Sequence, residues 1–183
     1  MSQVYIFLAQ GFEEIECLTV VDLMRRVNIS ITMVAIGDTL EVTGAHGIVV
    51  TADTLFSDMS FSDAHMLVLP GGAPGTCHLN ACEPLKDLLK DFYAKGKYIG
   101  AICAAPMILG HLGFLEGRKA TCYPGFEKDL FGAEHVTVPV VIDGHIITSR
   151  GLGTAIEFAG ELIALLTDSA TADQVKRQVI YNL

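Results

Sequence analysis

The chain has 183 residues, of which 51% are hydrophobic, and its 12 basic and 21 acidic side chains give a formal net charge of −9. This composition is typical of globular proteins and argues against intrinsic disorder, so we expect residues 1–183 to fold as one domain. No apolar run approaches the length of a membrane span, and no basic cluster is larger than Arg25-Arg26. Membranes and nucleic acids are therefore not expected as partners.

The cysteines and the N-terminus indicate the compartment. The five cysteines are odd in number and form no CxxC pair, which predicts free thiols in a reducing environment. The first residues lead straight into a strand-like segment and lack the basic start of a signal peptide. We therefore expect a cytoplasmic protein.

Strand-like and helix-like segments alternate along the chain, which predicts an α/β fold with a mostly parallel sheet and helices on both faces. Strands are predicted at residues 4–8, 29–36, 66–69, 97–102, 119–122, 136–142 and 146–149, with a hairpin over 41–53. Helices are predicted at residues 13–27, 84–95, 104–112, 154–166 and 171–180. Thr154 with Glu157 three residues later predicts a capping box at the start of the fourth helix.

The ends of the parallel strands indicate where a site should lie. In such sheets, ligands bind at the carboxyl ends of the strands. We therefore expect the loops that follow the strands to share one rim. These loops are residues 9–13, 70–75, 102–105 and 149–154.

Cys103 lies where a predicted strand meets a predicted helix, among the small residues Gly100, Ala101, Ala104 and Ala105. Such a sharp turn resembles the nucleophile elbow of hydrolases, which holds a reactive side chain clear of the sheet. Free N–H groups and the dipole at a helix start lower the pKa of a thiol and favour thiolate. The alternative is a buried structural cysteine.

Two further features are expected to meet Cys103 at the rim. Glu16 falls on the sheet-facing stripe of the first helix, where a carboxyl group is costly unless it is protonated or hydrogen-bonded. A protonated Glu16 could donate a hydrogen bond to the thiolate; the alternative is an exposed acid. The N–H groups of Gly72 and Ala104 could form an oxyanion hole, unless Pro70-Gly-Gly72 is an ordinary tight turn.

The two remaining candidates, Arg150 and His46, carry a positive charge or can acquire one. Arg150 starts the segment Arg150-Gly-Leu-Gly153 and is placed to face the pocket, although this segment lacks the spacing of a phosphate-binding motif. His46, at the hairpin tip, could reach a neighbouring rim or a second subunit. No histidine stands in a metal-ligand pattern with cysteine or carboxylates, so no metal site and no Cys-His pair are predicted.

Taken together, five segments resemble the ThiJ/PfpI superfamily, in the subfamily of Parkinson disease protein 7 and its bacterial relatives. They are Gly11-Phe-Glu-Glu-Ile-Glu16, Val21-Asp-Leu-Met-Arg-Arg26, Val68-Leu-Pro-Gly-Gly72, Ala101-Ile-Cys-Ala-Ala-Pro106 and Thr148-Ser-Arg-Gly-Leu-Gly-Thr154. The resemblance implies a flavodoxin-like fold and a homodimer. It also implies that Cys103 is the nucleophile and redox-sensitive thiol, that Glu16 is its protonated partner, and that Gly72 and Ala104 are the backbone donors.

The sequence departs from that family at two positions. Tyr123 stands where some members carry a histidine, and tyrosine is a poor general base at neutral pH because its pKa is near ten. A Cys-His-acid protease triad is therefore not expected, and Tyr123 is interpreted as a substrate-orienting group. His46 stands where the human member has an arginine that lines an anion site at the dimer interface.

The resemblance implies a cofactor-independent enzyme that acts on reactive dicarbonyls such as methylglyoxal, or on their early glycation adducts. The alternative is a non-enzymatic oxidative-stress sensor or a holdase-like chaperone, in which Cys103 is oxidised to sulfinate. Amidotransferase-like hydrolysis would require a His-x-Glu pair at the later rim, and the sequence has none there.

Overall fold

The computed structural model describes residues 3–181, which form eleven strands and six α-helices. The strands are β1 Gln3–Leu8, β2 Ser30–Ala35, β3 Glu41–Thr43, β4 Val49–Thr51, β5 Thr54–Leu55, β6 Ala64–Leu69, β7 Tyr98–Ile102, β8 Lys119–Ala120, β9 Glu134–His135, β10 Val140–Asp143 and β11 Ile146–Ser149. The α-helices are α1 Glu14–Arg26, α2 Ala73–Ala81, α3 Glu83–Ala94, α4 Pro106–His111, α5 Ala155–Leu166 and α6 Ser169–Gln178.

The central sheet has seven strands in the order β10-β11-β7-β6-β1-β2-β5. All neighbouring strands run parallel except β10, which pairs with β11 antiparallel. Because β2 and β6 flank β1 on opposite sides, the winding direction of the chain reverses at β1. This reversal is the switch point at which open α/β sheets bind ligands, so the fold places a site beyond the carboxyl ends of β1 and β6.

Alternate residues of the strands supply two hydrophobic cores, one on each face of the sheet. In β1, Val4, Ile6 and Leu8 face the core that contains residues of α1 and α5, whereas Tyr5 and Phe7 face the core built with α3. This period of two is the geometry of an extended strand buried on both faces. The result is a flavodoxin-like α/β sandwich, as the sequence predicts.

The structure differs from the sequence prediction at several elements: β5 and β9 were not predicted, and the strand predicted at 136–142 begins only at Val140. Two further differences, at α2 and at the start of α5, have a clear physical reason. Helix α2 was not expected, because Pro74 and Gly75 at its start are poor helix formers; the proline is accommodated in the first turn, where its missing N–H is not needed. The predicted capping box is wrong, because Thr154 makes no cap hydrogen bond to α5. A short 3₁₀ turn precedes α5, and the Thr154 hydroxyl instead bonds the Gly151 carbonyl oxygen at 2.9 Å.

Within residues 3–181, none of the helices combines the length and the apolar composition that crossing a membrane requires.

Candidate active site

The loops at the carboxyl ends of the strands meet at one rim, held together by backbone hydrogen bonds. The Glu13 N–H donates to the Gly71 carbonyl oxygen at 2.9 Å, and the Cys103 N–H donates to the Ser149 carbonyl oxygen at 2.9 Å. These loops and the β3–β4 hairpin enclose a cavity of about 470 Å³. Among the residues that line it are the predicted Glu16, His46, Gly72, Cys103, Ala104 and Tyr123.

Cys103 occupies a strained turn directly after β7. Its φ is +66°, in the left-handed region that non-glycine residues avoid at a cost of about 1–3 kcal/mol. The surrounding backbone imposes this conformation, since the Cys103 N–H is bonded to Ser149 and its carbonyl oxygen accepts the Tyr123 N–H at 2.8 Å. The elbow therefore points the sulfur into the cavity, as the sequence suggests.

Gly71 and Gly72 form more than an ordinary turn. A Cβ on Gly71 would lie 2.5 Å from the Cys103 Cβ and 2.5 Å from the Glu16 Oε2, so any larger residue would displace the thiol or the acid. Gly72 has φ of +91°, and a Cβ there would meet the Glu13 nitrogen at 2.6 Å. The absence of side chains lets the Gly72 N–H reach the Cys103 sulfur, which the Ala104 N–H also contacts.

Glu16 is a buried acid with a specific set of partners. Glu16 is only 1% exposed, and its Oε2 accepts a hydrogen bond from the Gly71 N–H at 2.9 Å. It is also hydrogen-bonded to the Cys103 sulfur and to the Leu152 N–H. Burial outweighs these bonds and raises the pKa of Glu16 to about 7, so the carboxyl group exchanges its proton near neutral pH.

The charge state of Cys103 differs from the simple expectation of a lowered pKa. Burial and an ionised Glu16 raise the pKa of the Cys103 thiol, while the N–H groups of Gly72 and Ala104 lower it. Helix α4 has only six residues, so its dipole adds little. Glu16 and Cys103 therefore titrate as a pair, and thiolate is favoured when the proton lies on Glu16 and the carboxyl O–H donates to sulfur.

The outer wall of the cavity is aromatic and aliphatic. Tyr123 is 50% exposed and lines the cavity together with Phe126 and Leu152. Sequence reasoning did not identify Phe126 or Leu152. The sequence signal for Phe126 was its place three residues after Tyr123, across Pro124-Gly125, a dipeptide that favours a turn.

Arg150 corrects a sequence-based expectation, because it is not among the residues that line the cavity. Its backbone N–H pairs with the Pro139 carbonyl oxygen at 3.3 Å, and its positive charge acts on Cys122 and Glu127 instead. The chain turns away at Gly151, whose missing side chain leaves room for the Tyr123 ring. Tyr123, and not Arg150, therefore occupies the cavity wall.

His46 reaches the cavity from the β3–β4 hairpin, where its Nδ1 lies 2.9 Å from the Glu14 Oε2 and 3.5 Å from the Glu13 Oε2. These three residues place possible ligand atoms within 4.8 Å of one another, the one such group found between residues 3 and 181. The ion pairs of His46 with the two carboxylates account for this clustering, so we assign no metal to it.

We predict that Glu16 makes the stability of the fold depend on pH. Folding raises the pKa of Glu16 from 4.5 to about 7, so the protonated carboxyl group contributes to the free energy of unfolding. This contribution is complete below pH 4.5 and is lost as the pH rises through about 7. Between about pH 5 and about pH 8, the wild-type free energy of unfolding should fall by about 2–3 kcal/mol more than that of Glu16→Gln. Denaturant titrations at both pH values measure this, with exposed Glu41→Gln as the control. Equal pH dependence in wild type and Glu16→Gln would rule out a buried acid that titrates near neutrality.

We also predict that mild hydrogen peroxide oxidises Cys103 before the other thiols. Cys103 lines the cavity and has two backbone N–H donors at its sulfur, whereas Cys17 and Cys122 are buried. Peptide mass spectrometry should locate sulfinate chiefly at residue 103. Exposed Cys77 is the internal control, and its preferential oxidation would contradict the assignment.

The sequence was compared with known protein families and proteins. Residues 2–165 match the DJ-1/PfpI family. Protein DJ-1 homolog B of Arabidopsis thaliana is 39% identical over 181 residues, which cover 98% of this chain but 41% of the relative. The Parkinson disease protein 7 homolog of Danio rerio is 33% identical over 184 residues, covering 96% of this chain and 95% of the relative. A protein named a deglycase, from Pyrococcus abyssi, is 33% identical over 167 residues, covering 90% of this chain and 99% of the relative.

Solved structures show the same relationship. A DJ-1 superfamily protein from Salmonella typhimurium superposes with a TM-score of 0.95 at 33% identity, over 100% of both chains. The oxidised DJ-1 of Toxoplasma gondii gives the same TM-score of 0.95 at 33% identity, again over 100% of both chains. The chain spans less than half the length of two relatives from Arabidopsis thaliana, 41% of Protein DJ-1 homolog B and 45% of Protein DJ-1 homolog A. By its sequence match and its fold, the chain belongs to the DJ-1/PfpI family.

Proposed function

We propose that the chain is a cysteine-dependent enzyme that acts on reactive dicarbonyls such as methylglyoxal, or on their early glycation adducts. The observation that carries this proposal is the Cys103 sulfur, in contact with the Glu16 carboxyl group and with the N–H groups of Gly72 and Ala104. The Pyrococcus abyssi relative that is named a deglycase supports an enzyme of this type.

In the proposed reaction, the Cys103 thiolate adds to the aldehyde carbon of the dicarbonyl. As the S–C bond forms, the carbonyl electron pair moves to oxygen, where the Gly72 and Ala104 N–H groups stabilise the charge. Glu16 then donates its proton to this oxygen, which gives a hemithioacetal. Glu16 is suited to this step because its pKa is about 7, close to the working pH.

The hemithioacetal then isomerises and is hydrolysed. A proton moves from the former aldehyde carbon to the neighbouring carbon, and the hydroxyl proton moves from the first oxygen to the second. The first carbon is thereby oxidised, the second is reduced and a thioester results. Water attacks the thioester, the S–C bond breaks, and lactate leaves. Because the chain and water supply every group, the proposal calls for no metal and no organic cofactor.

The cavity wall supports the choice of a small carbonyl substrate. Tyr123 is proposed to orient the substrate by hydrogen-bonding its second oxygen, and Phe126 and Leu152 present apolar surface to its carbon chain. Arg150 has no role here because it does not line the cavity. A protease is not proposed, because Tyr123 stands where a triad histidine would be needed.

A redox sensor or chaperone is the second candidate. The thiolate donors would equally stabilise the sulfenate and sulfinate of Cys103, and the similar Toxoplasma gondii structure is of an oxidised DJ-1. This candidate differs from the first in needing no turnover.

We further propose a cytoplasmic homodimer with neither nucleic acid nor membrane as a partner. The free cysteines fit a reducing compartment, and the net charge of −9 disfavours polyanions. Ile15, Ile48 and Val49 are each about half exposed, and such apolar surface supports association of two copies.

We predict that the purified protein converts methylglyoxal to lactate and that Cys103→Ala abolishes this reaction. Glu16→Gln keeps an acceptor for the Gly71 N–H but cannot transfer a proton, so kcat/KM should fall about 100-fold or more while Cys103 remains oxidisable.

Tyr123→Phe removes one hydrogen bond of about 0.5–1.5 kcal/mol, so kcat/KM of this variant should fall about tenfold or less.

Lactate assays on this series separate the two candidates. No lactate from the wild-type protein, together with normal oxidation of Cys103, would favour the sensor over the enzyme. If Tyr123→Phe is as inactive as Cys103→Ala, the tyrosine takes part in the chemistry and its orienting role is wrong.

A further inference from the structure

The β3–β4 hairpin brings a histidine to the cavity, although the sequence spacing predicted no histidine paired with Cys103. His46 belongs to the turn between Thr43 and Val49, and its side chain lines the same cavity as Cys103 and Glu16. Glu16 lies in the buried part of the cavity, whereas the His46 side chain is 67% exposed. The two groups therefore approach a bound substrate from different depths.

Glu14 fixes the position of this histidine. Its Oε1 accepts the His46 backbone N–H at 2.8 Å and the Ile48 N–H at 3.5 Å, while its Oε2 lies 2.9 Å from the His46 Nδ1. The Glu14 side chain is only 2% exposed, and Gly44 leaves room for it because a Cβ there would overlap the carboxylate. One buried side chain thus holds both the hairpin backbone and the imidazole ring.

These contacts determine which ring nitrogen can act. Burial tends to raise the pKa of Glu14, but its hydrogen bonds from His46 and the hairpin backbone lower it overall, so the carboxylate is an acceptor only. The neutral imidazole must therefore carry its hydrogen on Nδ1, which leaves the lone pair on Nε2 free. A base held by a second, fixed group is the arrangement used for proton transfer in many enzymes.

We propose that His46 is the second proton-transfer residue of the site and that Glu14 is its positioning residue. The inference rests on the proposed function. After the hemithioacetal forms, Nε2 takes the proton from the carbon bonded to sulfur. The C–H electron pair forms a C=C bond with the neighbouring carbon, and the carbonyl electron pair of that carbon moves to its oxygen, which gives an enediolate. His46 returns the proton to that second carbon, while Glu16 moves the hydroxyl proton from the first oxygen to the second, which gives the thioester.

The assignment divides two proton transfers between two groups. Glu16 is bonded to the sulfur and to Gly71, so it is fixed beside the oxygen formed by thiolate addition. Glu14 and Glu13 raise the pKa of His46 above its ordinary value, so its imidazole is a stronger base than that of a free histidine. Glu14 on α1 and Glu13 just before it are the charged groups that act on the ring.

The test measures lactate formation by the wild-type chain and by three variants, His46→Gln, His46→Ala and Glu14→Gln. The matched control is His65→Gln, because His65 is exposed and lies at the opposite end of the sheet. We expect His46→Gln to lower kcat about 100-fold or more. Cys103 should still react with iodoacetamide at the wild-type rate and should accumulate a bound methylglyoxal. Added imidazole should restore turnover to His46→Ala, and His65→Gln should match wild type.

Glu14→Gln tests the positioning role through the pH profile. Since the negative charge of Glu14 raises the His46 pKa, its removal lowers that pKa, and the acid limb of kcat should move to lower pH. A merely structural Glu14 would leave the position of this limb unchanged.

The outcomes separate this inference from the proposed function. Lactate formed by His46→Gln at the wild-type rate overturns the role of His46 alone. A loss of activity in His46→Ala that imidazole does not restore, with normal labelling of Cys103, also overturns it. No lactate from wild type overturns the proposed function, and the role of His46 in it as well.

Discussion

The site depends on a hydrogen bond between two buried groups that can each lose a proton, the Glu16 carboxyl group and the Cys103 thiol. Burial makes two negative charges side by side unfavourable, so the pair holds two protons below about pH 7 and keeps one above it. In the proposed reaction, the position of the remaining proton decides the chemistry, because the nucleophilic thiolate requires this proton to lie on Glu16. An acid and a nucleophile are thereby prepared in one step, in contact with each other.

The fold creates this contact at some cost. Glu16 is on α1 and Cys103 follows β7, and they meet because β1, β6 and β7 are neighbours whose carboxyl ends share one rim. The glycine pair after β6 removes the side chains that would separate them, and the left-handed backbone at Cys103 aims the sulfur inward. The ionised form of the buried acid, above about pH 7, and a strained residue both destabilise the folded state, and such features are tolerated where function requires them.

Much of this arrangement could be predicted from the sequence, since hydrophobic periodicity locates the strands and the strands locate the rim. Cys103, Gly72 and Ala104 were found because each directly follows a recognisable strand. Glu14 was not singled out from the sequence, because nothing local shows that a hairpin 32 residues away covers it. Arg150 was misplaced for the related reason that the direction of a side chain at a turn depends on packing, not on spacing. The charge state of Cys103 likewise depends on burial, which the sequence does not give.

The most direct test of the shared proton is the titration of Glu16 itself. NMR of a protein labelled at its glutamate side-chain carboxyl groups, with the Glu16 signal assigned through Glu16→Gln, reports the protonation of this group as the pH is varied. The structure predicts a midpoint at about pH 7. A midpoint near the ordinary value of 4.5 would mean that Glu16 is ionised throughout the neutral range, and it would contradict the role of Glu16 as the proton donor beside Cys103.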